Sequence, residues 1–342
     1  MDENYIERII SELTQDLFPN NDEKMSHELL SYEKLIFSEI FRIKITCENF
    51  SKNIIVKRYL KEKREDGDQS LSVLREFNIL KKLHENFSSL GSINVIKPLY
   101  VSTNENFLVT EEFEGKKLST IINDDIKWIR SFKSIQRARS YCSHVGIWLR
   151  QFQKFTKKSY TTSFSRKSFI KTIEDRLSSI KVFDLKKELH KNIYLYINNI
   201  FDRIGDQKLE IVGYHSDFTP GNILALDNEI RVMDFDRFSY RNRYEDLSRF
   251  LSALEGKKSI VGMIPKNIDE LKEAFLQGYG IEEIHYDILN LFLLKNTLKT
   301  LNMIDVFQDL NAKTIDKVYE RYRKRKQINL YARYIGKLIN ND

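Results

Sequence analysis

The chain has 342 residues, enough for two lobes or domains with a sizeable core; 41% of the residues are apolar and 31% are charged. These proportions are typical of a globular protein and exclude a disordered chain. The net charge of +7 permits binding to anions such as nucleotides. Only the C-terminal tail interleaves basic residues with aromatics as nucleic-acid binding surfaces do, so we expect no nucleic-acid partner.

The sequence also bears on the compartment. Cys47 and Cys142 show neither disulfide nor metal-binding spacing, which is typical of free thiols in a reducing environment. The opening MDENYIERIISEL lacks the apolar core of a signal peptide, and the longest apolar cluster, ILNLFLLK, is shorter than the roughly 20 residues of a membrane span. We therefore expect a cytoplasmic protein without a transmembrane segment.

The N-terminal part begins with residues 1–34, which we expect to be helical or irregular, and continues as a small mixed region to residue 113. The segment NIIVKRYL (53–60) has the composition of a strand and contains Lys57. The following residues, 67–87, have helical periodicity. Glu76 is the only acid in the apolar stripe of that helix, which comprises Val73, Leu80, Leu83 and Phe87.

A carboxylate in such a stripe needs a partner if it is to stay ionised, and Lys57 is the natural candidate for Glu76. The alternative is that Glu76 lies at the edge of the stripe and reaches solvent, with Lys57 exposed. Further along, residues 126–204 are predicted to be helical. Their aromatic stripes, such as Trp148 with Phe152, we assign to the core rather than to a cofactor site.

The segment YHSDFTPGNILALDNEIRVMDFD (214–236) predicts a β-hairpin with Asp227-Asn228 as a tight turn. Symmetric pairing about this turn places Asn222 opposite Met233, next to Asp234. An amide oxygen and a carboxylate suit Mg²⁺, which prefers oxygen ligands. Asp217, five residues before Asn222, can accept a proton from a hydroxyl group. A surface turn with ordinary acidic residues is the alternative, and His215 is assigned a structural role.

The motifs His-x-Asp-x-x-x-x-Asn and Asp-Phe-Asp resemble the catalytic and metal-binding segments of the aminoglycoside phosphotransferase and choline kinase family. The family's loop reads His-Gly-Asp, whereas this chain has Ser216 in place of Gly. Asp236 stands where a protein kinase has Gly, and no Ala-Pro-Glu follows. The resemblance implies an α+β, bilobal protein-kinase-like fold. Its N-lobe, residues 1–113, would contain an antiparallel sheet, and its C-lobe, residues 114–342, would be mostly helical.

The resemblance also implies residues for the nucleotide. Lys57, held by Glu76, would neutralise phosphate charge. The backbone of Glu111, Glu112 and Phe113 would hydrogen-bond an adenine or guanine ring. The alternative for this last segment is an ordinary strand followed by a polar turn.

The phosphate-covering turn departs from the family pattern. The segment YEKLIFSEIFRIKIT takes its place and offers Ser38 as the small polar residue. The sequence contains no glycine before Gly67. Close backbone approach to phosphates is harder without glycine, so Lys57 and the metal must contribute more to phosphate binding.

The C-terminal part adds two expectations. Asp246 lies in the first turn of a helix that begins at RYEDLSRFLSAL, where a negative charge is favoured. The resemblance implies that it supports the catalytic loop, although the helix-start position explains it as well. The tail KVYERYRKRKQINLYARYIGKL is basic, with Tyr319, Tyr322, Tyr331 and Tyr334 interleaved. We expect a solvated helix face, and peripheral contact with an anionic membrane surface is the alternative.

Together these features predict a Mg²⁺-dependent kinase that transfers the terminal phosphoryl group of ATP or GTP to a hydroxyl group of a small molecule. Asp217 accepts the hydroxyl proton, Asn222 and Asp234 hold Mg²⁺, and Asp236 is a second metal ligand or a structural acid. The basic chain favours a sugar, amino alcohol or glycan over an aminoglycoside as acceptor. The alternatives are a kinase-like protein that binds a nucleotide or partner without turnover, and a protein kinase.

Overall fold

The computed structural model describes residues 6–10, 12–13, 26–47, 50–60, 69–126, 132–180, 187–306 and 314–340. The fold is mixed α+β, as predicted, with antiparallel strands in the N-terminal part and mainly helices in the C-terminal part. It divides into two compact units. The first comprises Met1–Gly115 and Leu224–Phe238, and the second comprises Lys116–Ile223 and Ser239–Asp342. The segment 224–238, which the predicted division assigned to the C-lobe, is therefore part of the first unit.

The first unit is built on a five-stranded antiparallel sheet with the strand order β1-β2-β3-β6-β5. Its elements are β1 (Ser26–Lys34), β2 (Ser38–Cys47), β3 (Phe50–Tyr59), α1 (Gln69–Phe87), a short 3-10 helix (Ser88–Leu90), β4 (Ile93–Val95), β5 (Pro98–Ser102) and β6 (Phe107–Glu111). The hairpin strands β10 (Ile223–Leu226) and β11 (Glu229–Val232) follow later in the chain, and β11 pairs in parallel with β4. Helix α1 packs against β4 and β5.

The core of the first unit lies on one face of this sheet. Alternate residues of β2 point into it, as the period of two along a strand requires, with Phe41 and Ile43 buried. Residues 6–10 and 12–13 are helical, and Ile9 and Leu13 are buried in the same cluster. The expectation that residues 26–34 are helical or irregular was wrong. They form the edge strand β1, whose largely polar, exposed residues carry little of the apolar alternation that reveals a strand.

The second unit is mainly helical. Its helices are α2 (Leu118–Asp125), α3 (Phe132–Thr156), α4 (Arg166–Ser179), α5 (Lys187–Ile204), α6 (Tyr244–Lys257), α7 (Pro265–Tyr279), α8 (Tyr286–Val306) and α9 (Thr314–Asn340), with short 3-10 helices at Pro220–Asn222 and Ile281–Glu283. Its strands are β7 (Lys116–Lys117), β8 (Thr161–Phe164), β9 (Gln207–Tyr214) and β12 (Ser239–Asn242). Strand β8 corrects the prediction of a helical segment over residues 126–204, because pairing with the distant β9 defines this short strand.

The C-terminal helix packs onto the second unit through two of its tyrosines. Tyr331 and Tyr334 are only 4% and 9% exposed, and the Tyr334 ring lies 5.1 Å from Lys272 Nζ. The prediction of a solvated face was therefore wrong for these two residues, while the side chains of Tyr319 and Tyr322 lie outside the described residues. Within the described part of the chain, no helix is both long and apolar enough to cross a membrane.

Helices α3 and α7 approach each other closely at two glycines. A Cβ atom on Gly146 would lie 2.1 Å from the carbonyl oxygen of Phe275, and one on Gly278 would lie 2.0 Å from that of Ser143. Both obstacles are backbone atoms, so a side chain could be accommodated only if the helices moved apart. The two glycines therefore set the spacing of the helix pair that carries much of the core of the second unit.

The Gly146→Ala variant should accordingly lower the free energy of unfolding by about 1–3 kcal/mol, as overpacking of a tight core does. Gly336→Ala is the matched control, because nothing lies within 4 Å of a Cβ at that helical position. Alanine in place of glycine should there be neutral or stabilising by up to about 1 kcal/mol. Urea unfolding of both variants measures the difference. Equal stability of the two would contradict the close helix contact.

Candidate functional site

In the first unit, Glu76 is the centre of a buried polar cluster. The Glu76 side chain is 1% exposed, and Lys57 Nζ lies 3.3 Å from its Oε2 atom. The Tyr59 hydroxyl also donates to Oε2, and the backbone N–H of Phe235 donates to Oε1 at 2.9 Å. The predicted ion pair is thus present, and the single acid in the apolar stripe of α1 is satisfied by donors from two other parts of the chain.

The same cluster holds the Asp-Phe-Asp segment. Lys57 Nζ contacts Asp234 Oδ1 as well as Glu76, and the Phe235 side chain is fully buried. Asp234 has a φ of 71°, a left-handed conformation that is uncommon for residues other than glycine. This conformation is maintained by the Phe235 N–H bond to Glu76 and by the burial of the Phe235 ring.

The charges in this cluster stabilise the ionised lysine. Burial by itself disfavours the charged form of Lys57, but the carboxylates of Glu76, Asp234 and Asp236 raise its pKa above the ordinary range. Burial raises the pKa of Glu76, and the nearby Lys57 ammonium limits that shift. Lys57 is therefore a persistent positive charge beside two carboxylates of the Asp-Phe-Asp segment.

The segment predicted to bind the base begins at the end of β6. The N–H groups of Glu111 and Glu112 donate to the carbonyl oxygens of Lys97 and Asn53 at 2.9 and 3.1 Å. These two N–H groups are therefore committed to the protein, so a purine ring would have to use carbonyl groups or the backbone of Phe113. The Phe113 ring also faces a cation, with the Arg231 guanidinium 5.1 Å from its centroid.

The turn between β1 and β2 is the segment that was predicted from the sequence to take the place of the phosphate-covering loop. It exposes the apolar side chains of Leu35, Ile36 and Phe37, and Leu35 N–H donates to Ser38 carbonyl oxygen at 2.8 Å. Ser38 is buried at the start of β2. Its assignment to the nucleotide site stays a prediction.

The second unit carries the His-Ser-Asp loop after β9. Asn222 Nδ2 donates to the Asp217 carbonyl oxygen at 2.9 Å and to Asp217 Oδ2 at 3.2 Å, and the Asn222 N–H donates to the Thr219 carbonyl at 3.0 Å. The loop from Asp217 to Asn222 thus closes on itself. Both contacts with Asp217 are made by the amide nitrogen of Asn222 and not by its amide oxygen.

Two buried anchors fix this loop. Phe218 is fully buried, and its ring lies 5.5 Å from the ring of Trp148 on α3 and 5.5 Å from that of Phe250 on α6. The buried His215 donates its backbone N–H to Asp246 Oδ2 at 2.7 Å. Burial raises the pKa of Asp246 to about 8, and the His215 N–H opposes this shift. The expected support of the loop by Asp246 is confirmed as a direct hydrogen bond.

Left-handed backbone angles account for one substitution in the motifs and for the turn of the hairpin. Ser216 has a φ of 76°, so it adopts the left-handed conformation for which the family uses glycine. Asp227 and Asn228 have φ angles of 45° and 65°, which confirms the predicted tight turn between β10 and β11. Asn222 directly precedes β10, and Met233 alone separates the end of β11 from Asp234.

Sequence reasoning missed two residues of these clusters. Arg249 on α6 places a guanidinium nitrogen 2.9 Å from Asp217 Oδ1, with the Arg249 side chain only 14% exposed. It follows Asp246 by three residues, so the two share a helix face, and that spacing could have revealed it. Tyr59 lies two residues after Lys57 and therefore on the same face of β3.

The sequence matches no protein-family model. A probable bifunctional tRNA threonylcarbamoyladenosine biosynthesis protein of Methanosphaera stadtmanae is 31% identical over 130 residues, which cover 36% of this chain but only 22% of that protein. The EKC/KEOPS complex subunit BUD32 of Enterocytozoon bieneusi is 23% identical over 238 residues, which cover 68% of this chain and 85% of that protein.

Solved structures of small-molecule kinases are similar over most of the chain. The choline kinase LicA of Streptococcus pneumoniae has a TM-score of 0.50 at 14% identity and covers 96% of this chain and 100% of its own. An aminoglycoside phosphotransferase of Alicyclobacillus acidocaldarius has a TM-score of 0.54 at 12% identity, with 91% of each chain covered. A glucosamine kinase in complex with glucosamine, ADP and inorganic phosphate has a TM-score of 0.56 at 12% identity, and the match covers 96% of this chain and 82% of that kinase.

At these identities the similarity establishes the fold. The two motifs that suggested this fold contain Asp217 and Asp234, and each of these residues lies in a hydrogen-bonded polar cluster. The chain therefore has the protein-kinase-like fold found in aminoglycoside phosphotransferases and choline kinases, and resembles that family.

Proposed function

We propose that this protein is a kinase that transfers the terminal phosphoryl group of ATP or GTP to a hydroxyl group of a small molecule, with Mg²⁺ as cofactor. The observation that carries the proposal is the buried cluster in which Glu76 holds both Lys57 and the Asp-Phe-Asp segment. A lysine fixed by a helix carboxylate beside an aspartate is the arrangement with which kinases neutralise nucleotide phosphates.

The residues present suit Mg²⁺. The described residues contain no cluster of three or more His, Cys, Asp or Glu that could hold a metal by themselves. Mg²⁺ in phosphotransferases is instead bound by one or two protein groups, with phosphates and water completing its shell. Asp234 and the amide oxygen of Asn222 would be those groups, and Asp236 would be a further ligand or a structural acid. When bound, Mg²⁺ would neutralise charge on the phosphates.

The proposed reaction assigns a role to each cluster. Lys57 binds phosphate oxygens and neutralises part of their negative charge. Asp217 orients the acceptor hydroxyl and receives its proton as the oxygen attacks the terminal phosphorus. The bond between that phosphorus and the bridging oxygen breaks, the new bond to the acceptor oxygen forms, and a nucleoside diphosphate leaves. Asn222 and Arg249 position Asp217 through their hydrogen bonds to it.

A second function is favoured by the similarity to BUD32, whose name assigns that protein to the EKC/KEOPS complex. In that case this chain would be a kinase-like member of a protein assembly, and nucleotide turnover would depend on its partner. Nucleotide turnover by the chain alone separates the two functions. Transfer to sugars or amino alcohols supports the first, whereas turnover seen only with a protein partner, or phosphate incorporated into protein, supports the second.

The Asp217→Asn variant tests the proposed base. It should lose at least about a hundredfold in phosphoryl transfer, because proton transfer by a positioned group contributes that much or more. Asp202→Asn is the control, since Asp202 pairs with Arg166 on the surface of the second unit. Nucleoside diphosphate release with Mg²⁺ and a panel of sugars and amino alcohols is the measurement. Full turnover by a folded Asp217→Asn protein would remove Asp217 from this role.

Lys57→Met tests the nucleotide site. We expect kcat/KM for the nucleotide to fall by about 10²–10³, the range for loss of one preorganised electrostatic contact. Lys52→Met is the matched control, because Lys52 lies on the same strand but forms a half-exposed pair with Glu111. Removal of a surface pair should change activity by only a few-fold. Similar losses in both variants would show that Lys57 has no special role.

Ser216 provides a test that depends on backbone conformation. Ser216→Gly should keep activity and stability, since glycine adopts the observed left-handed angles without steric cost. Ser216→Val should lose activity and about 1–2 kcal/mol of stability, because a β-branched residue is strained there. Thermal unfolding and nucleotide turnover of both variants provide the comparison. An active, stable valine variant would contradict a requirement for the left-handed conformation.

A further inference from the structure

A group of basic side chains in the second unit lies on the elements around Asp217. We call it the basic cluster, and it comprises Arg176 on α4, Arg241 on β12, Arg249 on α6, and Lys295 and Lys299 on α8. In the proposed mechanism only Arg249 has a role. The other four cations have no role in it.

Helices α6 and α8 pack together and bring most of the cluster to one place. Lys295 and Lys299 are one turn apart on α8, so they share a face. Lys295 Nζ forms an ion pair with Glu245 on α6, and Glu245 is itself one turn before Arg249. Lys295 is therefore held on the side of α6 where Glu245 lies, one turn before the arginine that contacts Asp217.

Helix α4 adds Arg176 to the same face of α8. Asn302, which follows Lys299 by three residues, donates its Nδ2 to the Arg176 carbonyl oxygen at 3.2 Å and to Ser179 Oγ at 2.6 Å. Strand β12 carries Arg241, which pairs with Val212 on β9, the strand that leads into the His-Ser-Asp loop. Four separate elements thus bring cations toward the loop of Asp217.

The cluster has more positive charge than its carboxylates can balance. Burial, and after it the charges of Arg249 and Arg176, lowers the pKa of Lys299. Burial also lowers the pKa of Lys295, although Glu245 opposes the shift. The acids in these surroundings are Glu245, Asp217 and the buried Asp246, so five basic groups face three acids. Such mutual repulsion is unfavourable unless an anion binds there.

Two guanidinium groups of the basic cluster each have a buried donor that makes no hydrogen bond to the described residues. The Nε atoms of Arg176 and Arg249 are buried, and neither has a hydrogen-bond acceptor among the described residues. Buried donors normally have partners, and a guanidinium matches the oxygens of a phosphate or carboxylate. The arrangement is suited to a ligand that supplies several anionic oxygens.

We infer that the basic cluster binds an anionic group, a phosphate or a carboxylate, on the acceptor whose hydroxyl reaches Asp217. This inference rests on the proposed function and narrows its substrate to small hydroxyl compounds that carry negative charge. The acceptor hydroxyl takes the phosphoryl group from the nucleotide and gives its proton to Asp217, while the anionic group stays bound. A polycationic aminoglycoside would instead be repelled.

Binding is measured first, on the full chain without nucleotide, by ligand-observed NMR. The probes are glucose with glucose 6-phosphate, and glycerol with glycerol 3-phosphate and glycerate. Each anion should bind at least about tenfold more tightly than its neutral parent, as expected for one charge-assisted contact. Lys299→Gln and Arg176→Gln should each remove most of that difference. Lys266→Gln, at an exposed position on α7, is the control and should keep it.

Phosphoryl transfer to the same probes is measured next, with Mg²⁺ and ATP or GTP. Preferred transfer to the anions supports the inference, and the balance between phosphate and carboxylate probes identifies the anionic group. The inference is overturned if the anions and their neutral parents bind with equal affinity, or if the difference in affinity survives in both variants. It is also overturned if the nucleotide displaces the anions competitively. If anions bind selectively but no nucleotide is turned over with any acceptor, the proposed kinase function fails while the anion site stands.

Discussion

The organisation of the first unit depends on one buried carboxylate. Glu76 is almost fully buried on α1, and a charge in that position is tolerated only when several donors surround it. Lys57 and Tyr59 supply donors from β3, and the Phe235 N–H supplies one from the segment after β11. A helix, a strand and a loop distant in sequence are thereby fixed relative to one another. The position of Asp234 follows from this constraint.

In the second unit, too, a buried helix carboxylate fixes a loop through a backbone hydrogen bond. Asp246, buried on α6, accepts the His215 N–H and so fixes the start of the loop that presents Asp217. The Phe218 ring, buried beside Trp148, fixes the next part of the loop. In both units a helix carboxylate accepts a backbone N–H from a segment that carries an aspartate, half-buried Asp234 in the first unit and exposed Asp217 in the second. The buried groups thus determine where the carboxylates of Asp217 and Asp234 lie.

The sequence was most informative where local pattern and packing agree. The helical stripe that includes Glu76 and the left-handed turn at Asp227 both follow from short-range rules, so they could be predicted with their partners. The strands β1 and β8 could not, because their pairing partners rather than their own composition define them. The spacing of Arg249 from Asp246 indicates a shared helix face, but a charged helix residue is ordinarily solvated, so its bond to Asp217 became clear only in the packed structure.

The turn between β1 and β2 lacks the glycines of the family that the chain resembles, and this affects the electrostatics of the proposed reaction. A glycine-rich turn binds phosphates with backbone N–H groups, whereas the turn at Leu35–Phe37 presents apolar side chains and no glycine. In the proposed function, Lys57 would then supply more of the positive charge that binds a triphosphate. An anionic acceptor would add further negative charge to the reaction, and repulsion between anions at a few ångströms is costly in a partly desolvated site. In the reaction that we propose, the basic cluster around Arg249 would offset that repulsion for the anionic group of the acceptor.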